Sequence, residues 1–187
     1  LLVSDSDGSV SGVPMHIMLR GILNSRNIGN AVKLVAKHPR AGSSNYLIGE
    51  RTGQIVSLEV SPKNFDVLFA EEGIMIHTNH FISPIMAKHD TGRNILPDSL
   101  LRLGLAKQII REEFGKLGVK SFEKVFRDHT NFPNSICRHA DPTDHVVEQI
   151  ETVCSIIMDL ESNTIYLAHG QPCQEDYSFV RLGETTS

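Results

Sequence analysis

Ser43-Ser-Asn-Tyr-Leu-Ile-Gly-Glu-Arg-Thr-Gly-Gln-Ile-Val-Ser-Leu-Glu-Val60 decides the fold class of this chain. Two apolar runs, Ser43 to Gly49 and Gln54 to Val60, flank the polar turn Glu50-Arg-Thr-Gly53, a pattern that predicts a β-hairpin. Phe65 to Phe69 and Gly73 to Thr78 extend it to four strands of an antiparallel meander. Towards the amino terminus the period changes to that of a helix. Met15, Met18, Leu19, Ile22 and Leu23 form one apolar stripe. Ser11 or Gly12 supplies the cap, and Pro14 falls in the first turn, where a missing N–H costs nothing. A second helix over Ile28 to Ala36 turns Ala31, Leu34 and Val35 inward and stops at His38-Pro39. The two helices are expected to pack as a layer.

Towards the carboxyl terminus, Leu100, Leu101, Leu103, Leu105, Ile109 and Ile110 mark a long helix from Pro97, with Asp98 early and Lys116 late complementing its dipole. Ser121 to Asp128 reads as a shorter helix capped by Ser121. Thr152 to Leu160 and Thr164 to Ala168 make a second hairpin around Glu161-Ser-Asn-Thr, and Tyr177 to Leu182 adds an edge strand. Helices, strands, helices and strands in that order predict an α+β fold, the order one chain would give in an α-β-β-α layering, and periodicity alone stops at that class. Residues 1–187 contain no internal repeat or low-complexity linker and are expected to form a single domain.

With 40% hydrophobic and 21% charged residues the chain can bury a core. Eighteen basic against twenty-two acidic residues leave a formal charge of -4, which argues against a general nucleic-acid or membrane partner. Three cysteines, Cys137, Cys154 and Cys173, form neither a disulfide framework nor a Cys-x-x-Cys pattern, so a reducing cytoplasm is the expected location. No run approaches the length of apolar residues that a membrane-spanning helix needs.

The chemistry-bearing stretch is Gly73-Ile-Met-Ile-His-Thr-Asn-His-Phe-Ile-Ser-Pro84. As a strand it sends Ile74 and Ile76 to one face and Met75 and His77 to the other, and it delivers Thr78, Asn79 and His80 at its carboxyl end, where scaffolds present sites. Turn capping by the same residues is the competing reading. A second segment, Asn134-Ser-Ile-Cys-Arg-His139, follows Phe132-Pro133.

Together these segments resemble the acyl-coenzyme A:6-aminopenicillanic acid acyltransferase family, N-terminal nucleophile hydrolases of the cysteine type. Gly12-Val-Pro-Met-His-Ile-Met-Leu-Arg20, Ser43 to Ile48, Leu58 to Pro62 and Val153-Cys-Ser-Ile-Ile-Met-Asp159 extend the resemblance, in order, from about Gly12 to Leu182. The resemblance implies a four-layer αββα sandwich of stacked antiparallel sheets. It also implies a cysteine nucleophile at the amino terminus of a chain released by autoproteolysis, with its own α-amino group as base. Residue 1 is Leu, and Cys137 is the first cysteine. The expectation is therefore that residues 1–187 are the carboxyl-terminal part of a longer enzyme, inactive alone and partnered by a missing amino-terminal segment.

On the same resemblance Asn79 is the oxyanion-stabilising asparagine and Arg138 the arginine near the nucleophile. A side-chain NH2 is a neutral, directional donor, and a guanidinium can hold an anionic group in a fixed fork. Thr78, His80 and Phe81 are the expected substrate-binding residues. The implied activity is acyl transfer or amide hydrolysis on a small-molecule amide or acyl-thioester, with acyl-coenzyme A as a candidate substrate. No metal or organic cofactor is called for, and homo-oligomerisation is left open.

Two rivals stand beside this reading. One is a catalytically inactive fragment or binding module. The other is a metal-dependent hydrolase using His77, His80, His89 and Asp90, although residues three apart on a strand, such as His77 and His80, face opposite ways. Cys137 with His139 suggests a cysteine protease, but such near-adjacent positions rarely bring thiolate and imidazole into register, and a buried small hydrophobe is the expected role for Cys137. Glu59 and Asp159 at strand ends are expected to be solvated or to cap turns, and Asn45 to bond neighbouring backbone.

Overall fold

Strand β2 (Ile55–Val60) has antiparallel neighbours on both sides, β1 (Ser44–Gly49) and β3 (Phe65–Phe69), giving the sheet order β1-β2-β3. Because side chains alternate across a sheet, β2 serves two environments. Leu58 and Val60 enter an apolar cluster with Tyr46, while Ser57 and Glu59, equally buried, lie on the opposite face. Register places Asn45, Glu59 and Asp66 side by side across the three strands, a polar row on that second face.

The apolar face is covered by two helices. Met18 and Ile22 of α1 (Met15–Leu23) and Ala31 and Val35 of α2 (Ile28–Lys37) join Tyr46, Leu58 and Val60 in one core. Asn27 caps α2 by accepting a hydrogen bond from the Asn30 N–H at 2.9 Å. Helix α1 begins directly after Pro14 with no side-chain cap, so the cap expected at Ser11 or Gly12 is absent. Gly12 has a different purpose. A Cβ there would sit 2.3 Å from the Arg40 carbonyl carbon, so only glycine allows Val13 to bridge to Arg40 in parallel. Arg40 is itself buried and donates to the carbonyls of Val35, His38 and Ser61, tying the end of α2 to the end of β2.

The computed structural model describes residues 2–9 and 11–183. They gather into two compact units, Leu1–Leu100 and Leu101–Ser187. Helix α3 (Asp98–Glu112) buries Ser99, Ala106 and Ile110, with Leu103 half-buried between them, which is the i, i+4, i+7, i+11 seam of a helix. Leu100 and Leu101 point outward, correcting their assignment to the apolar stripe. Lys116 lies beyond the helix, and Arg111 is the basic residue of its last turn.

In the second unit α4 (Val119–Phe126) begins after Gly118, two residues before the expected cap. Ser121 is inside the helix, and its hydroxyl accepts from the Gly118 N–H at 3.3 Å, reaching back as an N3 residue does. The second sheet has the order β4-β5-β6, with β4 (Cys154–Asp159), β5 (Thr164–His169) and β6 (Ser178–Arg181) all antiparallel. Asp159 accepts from the Glu161 and Ser162 amides and from the Ser162 hydroxyl, so it caps the turn as expected. Its Ser162 hydrogen bonds lower its pKa. Helices and two antiparallel three-stranded sheets make the chain α+β.

One predicted element differs. Gly73 to Thr78 is not a strand. Glu72 and Gly73 take positive φ in a tight turn closed by reciprocal Glu71–Ile74 hydrogen bonds, and among the described residues 75–78 have no ladder partner. The segment is held by its side chains instead.

Candidate active site

Residues His77 to Ser83 are fastened at two anchor points, one on β2 and one on α3. The β2 anchor is Glu59. Its Oε1 lies 2.7 Å from His77 Nε2 and accepts from the Ile82 N–H at 2.6 Å, and its Oε2 accepts from the Ser83 N–H at 3.0 Å. Far from being solvated, Glu59 is 0% exposed. Desolvating a carboxylate costs several kcal/mol. Three charge-assisted donors, each contributing about 1.5–3 kcal/mol, offset it.

The proton inventory of this pair follows from geometry. His77 Nδ1 is 2.7 Å from the Thr78 carbonyl oxygen, which only accepts, so Nδ1 carries hydrogen. At 2.7 Å from Glu59 Oε1, Nε2 needs a second proton between ring and carboxyl, since two lone pairs would repel. Next to the pair, Ser83 donates from Oγ to Asp66 Oδ2 at 2.5 Å, so the polar row of the sheet holds both ends of the segment. Asn45 also belongs to that row, and its Oδ1 accepts from the Ser57 hydroxyl at 2.6 Å rather than bonding the backbone.

The α3 anchor is Ser99. Its Oγ accepts from the Asn79 N–H at 2.6 Å, lies 2.9 Å from His80 Nδ1 and donates to Thr78 Oγ1 at 3.0 Å. Thr78 Oγ1 in turn donates to the Ser99 carbonyl at 3.0 Å and sits 3.2 Å from His80 Nδ1. One serine thus fixes three consecutive residues. His80 is buried, and burial, followed by the nearby Arg93 and His77, lowers its pKa below the ordinary 6.5 against the opposing pull of Asp90 and Glu59. Its imidazole is therefore held in the neutral form.

Thr78, Asn79 and His80 share Ser99 as their common partner. Phe81 lies wholly inside a core cluster with Leu2 and Met86, its N–H donating to Asp90 Oδ2 at 2.9 Å. The quartet of His77, His80, His89 and Asp90 does not converge. His77 is taken by Glu59, His80 by Ser99, His89 by Asp5 at 2.9 Å and Asp90 by the Phe81 amide. The metal-hydrolase reading built on those four is corrected by these separate partners. Glu59 and Ser99 are the residues that sequence reasoning missed as anchors. A polar residue within an otherwise apolar element, Glu in a strand and Ser on a helix seam, was the available clue.

In the second unit Arg138 lies on the turn between α4 and β4. Its backbone is clamped from both directions, its N–H donating to Thr152 Oγ1 at 2.9 Å and its carbonyl accepting from the Thr152 N–H at 3.0 Å. The guanidinium donates to Asn134 Oδ1 from Nε at 3.2 Å and also from Nη2. Cys137 is buried, as expected of a small hydrophobe, and burial pushes its thiol up to about 11, with the charges of Cys173 and Asp128 acting in the same direction.

No described helix is long and apolar enough to cross a membrane. The family described as acyl-coenzyme A:6-aminopenicillanic acid acyl-transferase matches residues 2–174. The acyl-coenzyme A:6-aminopenicillanic-acid-acyltransferase 40 kDa form of Emericella nidulans is 27% identical over 175 residues, covering 91% of this chain. That alignment takes in 46% of the relative, so the chain spans about half its length. By the extent of the family match, the chain belongs to the acyl-coenzyme A:6-aminopenicillanic acid acyltransferase family.

Proposed function

We propose that residues 1–187 form the carboxyl-terminal part of an N-terminal nucleophile acyltransferase or amidohydrolase whose nucleophile is a cysteine outside these residues. The thiolate attacks an amide or thioester carbonyl, Asn79 donates to the developing oxyanion, and the acyl-thioester passes to an amine or to water. The α-amino group of the nucleophile titrates near neutrality and carries the proton in both directions. Arg138 stabilises an anionic group beside the nucleophile. Thr78 and His80 line the substrate side, with Phe81 as the packing behind them. Acyl-coenzyme A is a substrate of this scheme rather than a cofactor.

The observation that carries the reading is the fixing of Asn79. An oxyanion donor is useful when its position is set before charge develops. The Asn79 N–H is held by Ser99, and its neighbours His77 and His80 are locked to Glu59 and Ser99. Turn capping alone does not require a fully buried carboxylate beneath the turn.

The four-layer sandwich belongs to the same proposal. Ile156, Met158 and Val180 lie 44%, 61% and 62% exposed on one face of the second sheet, which suits a face covered by further strands of the complete enzyme. The thiols of Cys137 and Cys173, close but unbonded, suit a reducing compartment such as the cytoplasm. The test is acyl-enzyme formation by the full-length protein with a chromogenic amide and an acyl-coenzyme A. A covalent acyl adduct on an amino-terminal cysteine is expected. Turnover that persists after that cysteine is replaced by Ala would overturn the proposal.

A further inference from the structure

Three loop positions and one turn of the second unit bring four soft donors to a point. His129 Nε2 is 3.0 Å from His139 Nε2, Cys173 Sγ is 3.4 Å from the same nitrogen and Cys137 Sγ is 3.9 Å from it. All four donor atoms lie within 4.8 Å of one another, and they are the one such group among the described residues. Hydrogen bonding alone cannot satisfy this arrangement. A neutral imidazole nitrogen has one proton or one lone pair, yet His139 Nε2 faces three partners at once.

We propose that His129, Cys137, His139 and Cys173 form a four-coordinate site for a zinc-class divalent cation. Tetrahedral bonds of the usual zinc lengths separate two nitrogens by about 3.3 Å, nitrogen from sulfur by about 3.6 Å and two sulfurs by about 3.8 Å. The observed nitrogen–nitrogen separation is 3.0 Å and the two nitrogen–sulfur separations are 3.4 and 3.9 Å, close to the corresponding ideal values. Two thiolates and two imidazoles select zinc over the oxygen-seeking magnesium and calcium. On binding, each thiol releases one proton to solvent, and the two imidazoles ligate as neutral bases through Nε2. Four protein ligands close the coordination sphere, so the metal is structural rather than catalytic.

The ligands are held in place by their own backbone. The Cys137 N–H donates to the Asp128 carbonyl at 3.0 Å, the Ser135 hydroxyl donates to the Cys137 carbonyl at 2.6 Å, and the His139 N–H donates to the Pro133 carbonyl at 3.0 Å. Arg127 donates from Nε to the Pro172 carbonyl at 2.7 Å, which positions the chain beside Cys173. The Phe132 ring packs against both imidazoles, with centroids 6.1 and 5.0 Å away. The ion would cross-link the turn after α4 to the loop between β5 and β6. Cys137 and His139 also flank Arg138, so the same ion would fix the backbone of the arginine assigned above, although the site stands whatever Arg138 does.

The test is a cobalt(II) titration of the intact chain, produced without a histidine tag, kept reduced and stripped with chelator. One equivalent should develop the visible bands of tetrahedral cobalt and a thiolate-to-cobalt charge-transfer band, and one equivalent of zinc should erase both. Cys154→Ser should leave the bands unchanged. Cys137→Ser with Cys173→Ser should abolish the charge-transfer band. His139→Ala should weaken binding by more than the roughly tenfold to hundredfold typical of losing an outer-shell partner. X-ray absorption of the zinc-loaded unaltered chain, independent of how the variants fold, should give two sulfur and two nitrogen neighbours. A titration without the charge-transfer band, a band that survives in the double variant, or an oxygen-only coordination shell would overturn the proposal.

Discussion

His77 Nε2 stands 2.7 Å from Glu59 Oε1, with the His77 side chain 4% and Glu59 0% exposed, so a hydrogen-bonded two-residue unit is buried between β2 and the segment that carries Asn79. Breaking such a unit strands the remaining polar group in a dry site. His77→Ala is expected to destabilise the chain by about 3–5 kcal/mol, and to lower the melting temperature by on the order of 10 °C. Chemical denaturation followed by circular dichroism measures this. A loss under about 1 kcal/mol would mean that the pair behaves like a solvated surface ion pair.

Asn79→Ala should separate rate from stability. The Asn79 backbone N–H, which bonds Ser99, survives the substitution, so the melt should change little. In the full-length enzyme turnover should fall roughly a hundred- to a thousand-fold, the usual cost of one oxyanion donor. KM should move much less, because the donor acts once charge has formed. Asn79→Asp should be at least as damaging, since it sets an anion beside the developing charge. Near-normal turnover in both variants would remove Asn79 from the mechanism.

His80 predicts a pH dependence of stability with a definite sign. Its pKa in the folded chain is below 6.5, so on acidification the unfolded chain takes up a proton there before the folded chain does. The His80 contribution is present above 6.5 and is lost as pH falls through that value towards the lowered folded pKa. His80→Gln should therefore flatten the fall in melting temperature below that pH relative to the unaltered chain. Parallel curves for the two proteins would show that His80 protonates as readily when folded as when unfolded.

The cysteines should differ in reactivity. Cys154 is exposed, whereas Cys137 is buried with its thiol pushed up to about 11. The thiolate is the reacting form. With metal chelated, iodoacetamide at mildly alkaline pH should label Cys154 first and Cys137 last, as peptide mass spectrometry would read. Early labelling of Cys137 would contradict its burial.

What was readable along the chain follows from periodicity. The hairpin of β1 and β2, the helices α1 to α4 and the closing β4–β5 hairpin each rest on local apolar spacing and turn residues, and they recur in the structure within a few positions. Thr78, Asn79 and His80 stand out along the chain as site candidates, because three polar residues directly after an apolar run are poor core material. The segment 73–78 was misread for the same reason. An apolar run looks like a strand from sequence, but a strand needs a partner, and here Glu59 and Ser99 hold the segment in place of a ladder.

The sequence by itself determined the class of the protein, since the ordered motifs and the alternation of helical and strand periods are local properties of the chain. Only the tertiary structure decided what anchors the site and where soft ligands meet. Glu59 is an ordinary strand residue until the fold lays the His77, Ile82 and Ser83 donors against it. Cys173 is far along the chain from His129, Cys137 and His139, and no spacing rule links them. Their convergence depends on the return of the chain past β5, and long-range closure of that kind is set by packing rather than by any local preference.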